Sequence, residues 1–219
     1  MLERIADHGL TQQVQQRLLN LIMSGEIRGG AKITEISISE RLGVSRGPVR
    51  EAFRALEESG LLVTERNRGV YVRNITPEEA VEIQEVRSAL DEMAARRAAT
   101  RLTASQIRDL DQLIREMDGC ISTDDIAGFY ALNLRFHELL VEWSGNAKLL
   151  ATYRRLIKQL HLYRQKGLQP AGEMAHSNEA HRDILRHIAL GNPDAAAKAM
   201  REHTAHGRHR ILLNQTDET

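Results

Sequence analysis

Strand-forming sequence is confined to one stretch, Leu61 to Arg73, and every segment after residue 75 carries helical spacing. A chain with so little strand can build at most one small hairpin, so its two halves must fold by different rules. Before Leu61 the helical segments are short. Thr11 opens a helix with Val14, Leu18, Leu21 and Ile22 on one face, closed by Gly25 and the Gly29-Gly30 pair. A second runs from about Glu35 to Leu42 and stops at Gly43. Ser45 is placed to cap a third, with Pro48 in its first turn, where a missing N–H costs nothing. That helix sets Val49, Ala52, Phe53 and Leu56 in a buried stripe and ends at Gly60. Leu61 to Glu65, a turn at Arg66-Asn67-Arg68-Gly69, and Val70 to Arg73 then form a β-hairpin.

The second half is helical throughout. Thr76-Pro77-Glu78-Glu79 and Thr103-Ala104-Ser105-Gln106 are capping boxes. The first opens a helix whose apolar stripe includes Ile83, Val86, Leu90 and Met93, and the second leads into Ile107, Leu110, Ile114 and Met117. Four more helices follow, from about Asp125 to Trp143, on to about Gln165, from about Glu173 to Leu190, and from Asn192-Pro193 to about Leu213. The expected fold is mainly α: an N-terminal winged helix-turn-helix over residues 1–73, a linker at 74–78, and an all-α six-helix bundle over 79–219.

With 30 basic and 30 acidic side chains the chain carries no net charge, which excludes a polycation that coats nucleic acid by bulk charge. Any positive surface must be local, and residues 1–73 have a net charge of only +2. The longest non-glycine apolar run, Phe129 to Leu132, is far too short to span a membrane, and the first residues lack the apolar core of a secretory signal. One cysteine, Cys120, leaves no disulfide framework or thiolate-rich zinc site. A cytoplasmic location is the expectation.

In a winged helix-turn-helix the third helix enters the major groove. Arg46, Gly47 and Arg50 lie beside the buried stripe of that helix, where two arginines can offer forked donors to guanine edges and glycine permits close approach. The wing turn puts Arg66 and Arg68 at a tip suited to phosphates or a narrow minor groove. A solvated helix face with a polar hairpin tip has the same pattern.

Glu40 to Ala52, reading ERLGVSRGPVREA, followed by Leu56-Glu57, Gly60-Leu61-Leu62 and the Asn67-Arg68-Gly69 wing, resembles the signature of GntR-family transcriptional regulators. The resemblance implies that Arg46 and Arg50 read bases and that the wing tip contacts the minor groove. Arg41, Ser45, Gly47, Arg66, Asn67, Arg68 and Gly69 complete the implied DNA-binding set. The chain departs from some fatty-acid-responsive members at Ile36, where they carry a DNA-contacting arginine, so their operator preference does not transfer.

Histidine is unevenly distributed: eight of nine lie between His137 and His209. Asn133 and His137 share a helix face, His181 sits on a stripe with Ile184, Leu185 and Ile188, and His203 on one with Ala196 and Met200. Three inward histidines from three helices can converge on one divalent metal, and neutral imidazole suits zinc or nickel. Three separately hydrogen-bonded core histidines satisfy the same pattern. His161, His176, His187, His206 and His209 read as surface or boundary residues.

Asn133-x-x-Phe136-His137, Ser144-Gly145-Asn146, Glu179-Ala180-His181 and Met200-Arg201-Glu202-His203 fall in an order that resembles the FCD ligand-binding domain of the FadR subfamily, and six helices are similar to its VanR-type branch. The resemblance implies a metal held by Asn133, His137, His181 and His203, an effector contact at Arg87, a homodimer on palindromic double-stranded operator DNA, and repression relieved by ligand. Pairing of Arg87 with Asp91 one turn on is the alternative use of that arginine. Where the family has an aspartate or an asparagine this chain has Asn133, which leaves the donor set neutral, so a small organic acid or phosphonate is the natural completing ligand. Two other readings stand beside this one: a regulator whose bundle only dimerises, and a metal-dependent hydrolase. The hydrolase lacks a general base, since Glu138 points away from His137 on the same helix. The expectation is that the chain is not an enzyme.

Overall fold

The structure, a computed structural model, describes residues 5–164 and 172–216, with side chains for 9–163 and 173–205. It divides into two compact units, the first running through Thr76 and the second starting at Pro77; the end of α7, from Lys158 on, groups with the first.

The first unit contains α1 (Ile5–Met23), β1 (Lys32–Ile33), α2 (Glu35–Leu42), α3 (Arg46–Glu58), β2 (Leu62–Glu65) and β3 (Gly69–Val72). Helix α1 begins upstream of Thr11, and Val14, Leu18, Leu21 and Ile22 are buried as its spacing predicts. They pack against the buried Val49, Ala52, Phe53 and Leu56 stripe of α3. The start of α2 is fixed by Thr34: its hydroxyl accepts from the Ser37 N–H while the Ser37 side chain returns to the Thr34 backbone. Gly43, at φ 66°, ends the helix in the left-handed region. Ser45 does precede α3 in extended conformation, but its hydroxyl makes no capping bond.

The hairpin is part of a three-stranded antiparallel sheet of order β1-β3-β2, in which Lys32 pairs with Tyr71 and Ile33 with Val70. Strand β1 has only two residues, too few for alternation to declare it. At the wing tip Asn67 sits at φ 63° and Gly69 at φ 117°. Both lie at positive φ, which asparagine and glycine tolerate best, so turn geometry alone accounts for these two residue types.

The second unit contains α4 (Pro77–Ala98), α5 (Ala104–Ser122), α6 (Ile126–Trp143), α7 (Ala147–Arg164), α8 (Gly172–Ala189) and α9 (Pro193–Thr216). Thr103 and Gln106 form the predicted capping box at α5, and the Asp125 side chain caps α6 by accepting from the Gly128 N–H. Phe136, Leu140, Met117, Ile184 and Met200 are fully or almost fully buried at the centre of the core. No described helix is long and apolar enough to cross a membrane.

Helix α4 departs from the sequence expectation. Its predicted stripe is only half inward: Ile83 is buried and Leu90 packs half-buried against the core, but Val86 is 51% exposed and Met93 47% exposed. The inward face carries Gln84, Arg87 and Asp91 among Ala80, Ala94, Ala95 and Ala98. The alanines explain the rotation. Helix α4 packs most extensively on α9, whose Ala196 and Ala197 are also buried, and small side chains on both helices let the two backbones approach closely.

Candidate DNA-reading surface and metal centre

Helix α3 presents Arg46 and Arg50 one turn apart, with side chains 57% and 51% exposed. Gly47 lies between them, and a Cβ there would meet nothing within 4 Å. The protein's own packing therefore does not demand glycine at this position. Both arginines reach Glu35 on α2. Arg50 donates from Nε at 2.9 Å and from Nη2 at 3.1 Å, and Arg46 from Nη2 at 3.2 Å. The Arg50 hydrogen bonds hold the Glu35 carboxyl below its ordinary range against the opposing effect of its burial, with Arg46 adding to the shift. Ile36, beside Glu35, is 52% exposed. Arg41 is exposed on the last turn of α2 and paired with Glu26. At the wing Arg66, Asn67 and Arg68 are all exposed, and Arg68 pairs with Glu65 at 2.7 Å.

Inside the second unit His137 of α6, His181 of α8 and His203 of α9 converge, with one ligand nitrogen from each lying within 4.8 Å of the others. The His137 and His203 Nε2 atoms are 3.2 Å apart. Two imidazole nitrogens on a tetrahedral zinc stand about 3.3 Å apart, so this pair is already at ligand separation. His181 is fully buried against Phe136, ring centroids 4.6 Å apart, and neither of its ring nitrogens has a hydrogen-bond partner. In the neutral ring one nitrogen is an N–H donor and the other holds a lone pair, and burying the lone pair is expensive unless a proton donor or a metal takes it up. Burial, then the positive fields of His137, Arg87 and Arg182, push its pKa well below the ordinary value and keep the ring in the neutral, metal-ligating form. Asn133, one turn before His137, likewise has a buried Oδ1 with no partner. The residues present fit a divalent transition metal.

Behind this cluster sits a charge pair that the histidine pattern alone does not show. Asp91 Oδ1 lies 3.3 Å from His137 Nδ1, which directs His137 Nε2 toward the cluster. Asp91 Oδ2 lies 3.1 Å from Arg87 Nε, within ion-pair range but not aligned as a hydrogen bond. Both partners are almost wholly buried. Burial opposes the Arg87 charge, but Tyr153, Asp91 and Tyr130 outweigh it. A buried pair of this kind rarely repays its own desolvation, so stability does not explain why it is there. The only sequence signal was the i, i+4 spacing of Arg87 and Asp91; nothing pointed to His137 as a shared partner. Glu35 was equally unmarked, because its two partners lie on another helix.

The other histidines with described side chains fall outside the cluster. His161 sets Nε2 2.9 Å from the Met23 carbonyl, His176 is exposed, and His187 stands 3.7 Å from Asp183. The side chains of His8, His206 and His209 lie outside the described residues. Trp143 is partly buried against the core, and Glu138 is committed to Arg154 at 2.7 Å.

The family model for bacterial regulatory proteins of the gntR family matches residues 10–72, and that for the FCD domain matches residues 82–206. The chain belongs to the GntR family, with an FCD domain. It is 30% identical over 207 residues to a protein of Paenarthrobacter nicotinovorans named "Probable D-xylose utilization operon transcriptional repressor", a match that covers 93% of this chain and 89% of that one. It is 29% identical to the HTH-type transcriptional repressor RspR of Escherichia coli K12, over 89% of this chain and 85% of that one. Among solved structures, a GntR transcriptional regulator from Rhodococcus sp. RHA1 superposes with a TM-score of 0.74 at 26% identity, over 92% of this chain and 97% of that one. Escherichia coli McbR/YncC shares the fold, with a TM-score of 0.77 at 20% identity over 94% and 98%. The chain is a transcriptional regulator of the GntR/FCD type.

Proposed function

We propose that this regulator represses its target promoters as a homodimer on palindromic operator DNA, and that a small anionic metabolite relieves repression by binding at a divalent metal in the FCD domain. The observation that carries the sensing half is the convergence of three histidine nitrogens around the orphaned nitrogens of His181. His137, His181, His203 and Asn133 would hold the metal, zinc or nickel by donor type. The metal supplies a positive anchor for an anion.

Charge argues for that class of ligand. The metal donors are neutral, and the nearby Asp91 carboxylate is already offset by Arg87. The pocket therefore retains the full charge of a dication, and a carboxylate or phosphonate compensates it at least desolvation cost. Arg87 would receive a second anionic group in competition with Asp91.

On the DNA side, Arg46 and Arg50 are the base readers, and open space at Gly47 leaves room for close approach of the duplex. Ser45, with its hydroxyl uncommitted to capping, and Arg41 serve as phosphate contacts, and Arg66 and Arg68 bring the wing tip to the minor groove. Dimerisation uses the outward face of α4, where Val86 and Met93 leave apolar surface uncovered. Six helices after the wing favour the VanR-type branch. The first 73 residues read DNA and those from 79 on sense and dimerise.

The experiment is a selection of genomic fragments by the purified wild type, by Arg46→Ala and by Arg50→Ala, each with zinc restored and with zinc stripped. The expected result is a few promoters sharing a short palindrome, lost in both variants. Equal recovery of all fragments by all three proteins would refute the DNA-reading assignment. Identical titration heats for small carboxylates and phosphonates on zinc-loaded and stripped protein would refute the metal-anchored effector.

A further inference from the structure

We infer that Glu35 is a positioning and specificity residue of the reading head: its one carboxylate aligns the Arg46 and Arg50 guanidinium groups and cancels one of their two charges, lowering general affinity for DNA in exchange for selectivity. The inference rests on the reading of those arginines as base contacts.

Three hydrogen bonds of 2.9 to 3.2 Å converge on this carboxylate from two arginines one helical turn apart. The Glu35 side chain is 25% exposed, whereas both arginines are more than half exposed. The anion is thus the fixed member and the cations are the ones it restrains. Its own position is set by the Thr34–Ser37 capping box, and a carboxylate in the first turn of α2 is favoured by the helix dipole.

Exposed ion pairs contribute little to folding stability, so a stabilising role does not account for the arrangement. Binding offers a better account. Non-specific association with DNA is almost wholly electrostatic and scales with the phosphates neutralised, so an unopposed Arg46–Arg50 pair would hold any duplex more tightly. Base readout depends instead on the fork being held in plane with a guanine edge. Arg50 meets Glu35 through Nε and Nη2, which fixes its guanidinium plane and leaves Nη1 outside the pair. Arg46 uses a single nitrogen. One carboxylate therefore orients both readers without occupying all their donors.

The test compares wild type, Glu35→Gln, Glu35→Asp and Arg50→Ala on two probes. One is the consensus duplex that wild type selects from a random-sequence library; the other is a scrambled duplex of the same composition. Fluorescence anisotropy between 50 and 200 mM KCl gives affinity and salt slope for each. Glu35→Gln is expected to bind the scrambled duplex about three- to tenfold tighter, with a salt slope steeper by about one, while its consensus affinity does not rise. The ratio of the two affinities then falls about tenfold. Glu35→Asp keeps the charge but shortens the reach, so scrambled binding stays at the wild-type level while consensus binding weakens. All four proteins should melt within about 2 °C of one another, because exposed pairs stabilise folding little.

An unchanged affinity ratio in Glu35→Gln, or equal shifts on both probes, overturns the inference while leaving Arg50→Ala free to lose the consensus preference. If Arg50→Ala keeps that preference, or wild type selects no consensus, the base-reading assignment itself falls and the inference falls with it.

Discussion

Replacing His181 by alanine separates a metal ligand from an ordinary core residue, because the two roles predict different energies in metal-free protein. A packed aromatic side chain in this core, such as the neighbouring Phe136, costs about 3–5 kcal/mol when cut to alanine. The His181 ring is equally buried, but both its nitrogens lack partners. Each unsatisfied polar group carries a penalty of about 1–3 kcal/mol, which truncation relieves. The cavity and the relieved penalty then largely cancel, and stripped His181→Ala should lie within about 2 kcal/mol of stripped wild type.

Zinc reverses the comparison. At a hundred times its dissociation constant a metal that binds only the folded state adds about 2.7 kcal/mol. For a unit of this size that raises the melting temperature by about 8–11 °C. The assay is calorimetric melting of wild type, His181→Ala and the exposed-site control His176→Ala, each stripped and zinc-loaded. Wild type and the control should show the full shift, and His181→Ala little or none. The reasoning fails if His181→Ala keeps the full zinc shift. It also fails if the stripped variant loses as much stability as Phe136→Ala, which would make His181 a packing residue.

Stripped wild type should also lose stability on acidification. The His181 pKa is lowered in the fold, first by burial, so the unfolded chain takes up the proton first. Its contribution is therefore intact above the unfolded value of about 6.5 and declines as pH falls from there toward the depressed folded value, by up to about 1.4 kcal/mol per unit. Urea midpoints at pH 7.5 and 5.5 check this, and the decline should shrink in His181→Ala. Asp91→Asn, which keeps shape but removes the charge behind His137, should weaken zinc binding about tenfold or more in competition with a chromophoric chelator; unchanged affinity would remove Asp91 from the site. Met93→Asp on the outward face of α4 should convert a dimer to a monomer in analytical ultracentrifugation, and an unaltered mass would place the dimer contact elsewhere.

The parts of this molecule that were legible in its sequence are those where one local rule decides the outcome. Val14 to Ile22 and Val49 to Leu56 follow helical spacing because only packing acts on them. Thr103 starts a helix because its hydroxyl and Gln106 lie three residues apart. The three histidines were placed on inward stripes for the same reason, although spacing alone could not say that they meet. Two features were not legible. Strand β1 is too short to show alternation and exists only because β3 offers it an edge. Helix α4 was read with its inward face rotated too far, so that Val86 and Met93 were counted inside.

That error follows from what the helix is for. An amphipathic reading assumes that the face richest in large apolar side chains is the buried one. In α4 the inward face instead holds alanines that admit α9, together with an arginine and an aspartate that stability alone would not keep buried. Asp91 is committed to His137, and Arg87 is held charged in the domain interior. A helix that must deliver two charges to an internal site has to leave Val86 and Met93 outside, and exposed apolar surface of that kind is then available to a second copy of the chain. The site's polarity and the proposed dimer contact thus have one cause, the rotation of α4. On the proposed function, ligand and dimer geometry would share one element: an anion that pulls on Arg87 would act on the helix whose opposite face is the proposed dimer contact. Coupling of this kind requires that the ligand favour one setting of α4 over another, by as much free energy as it shifts between the two dimer arrangements.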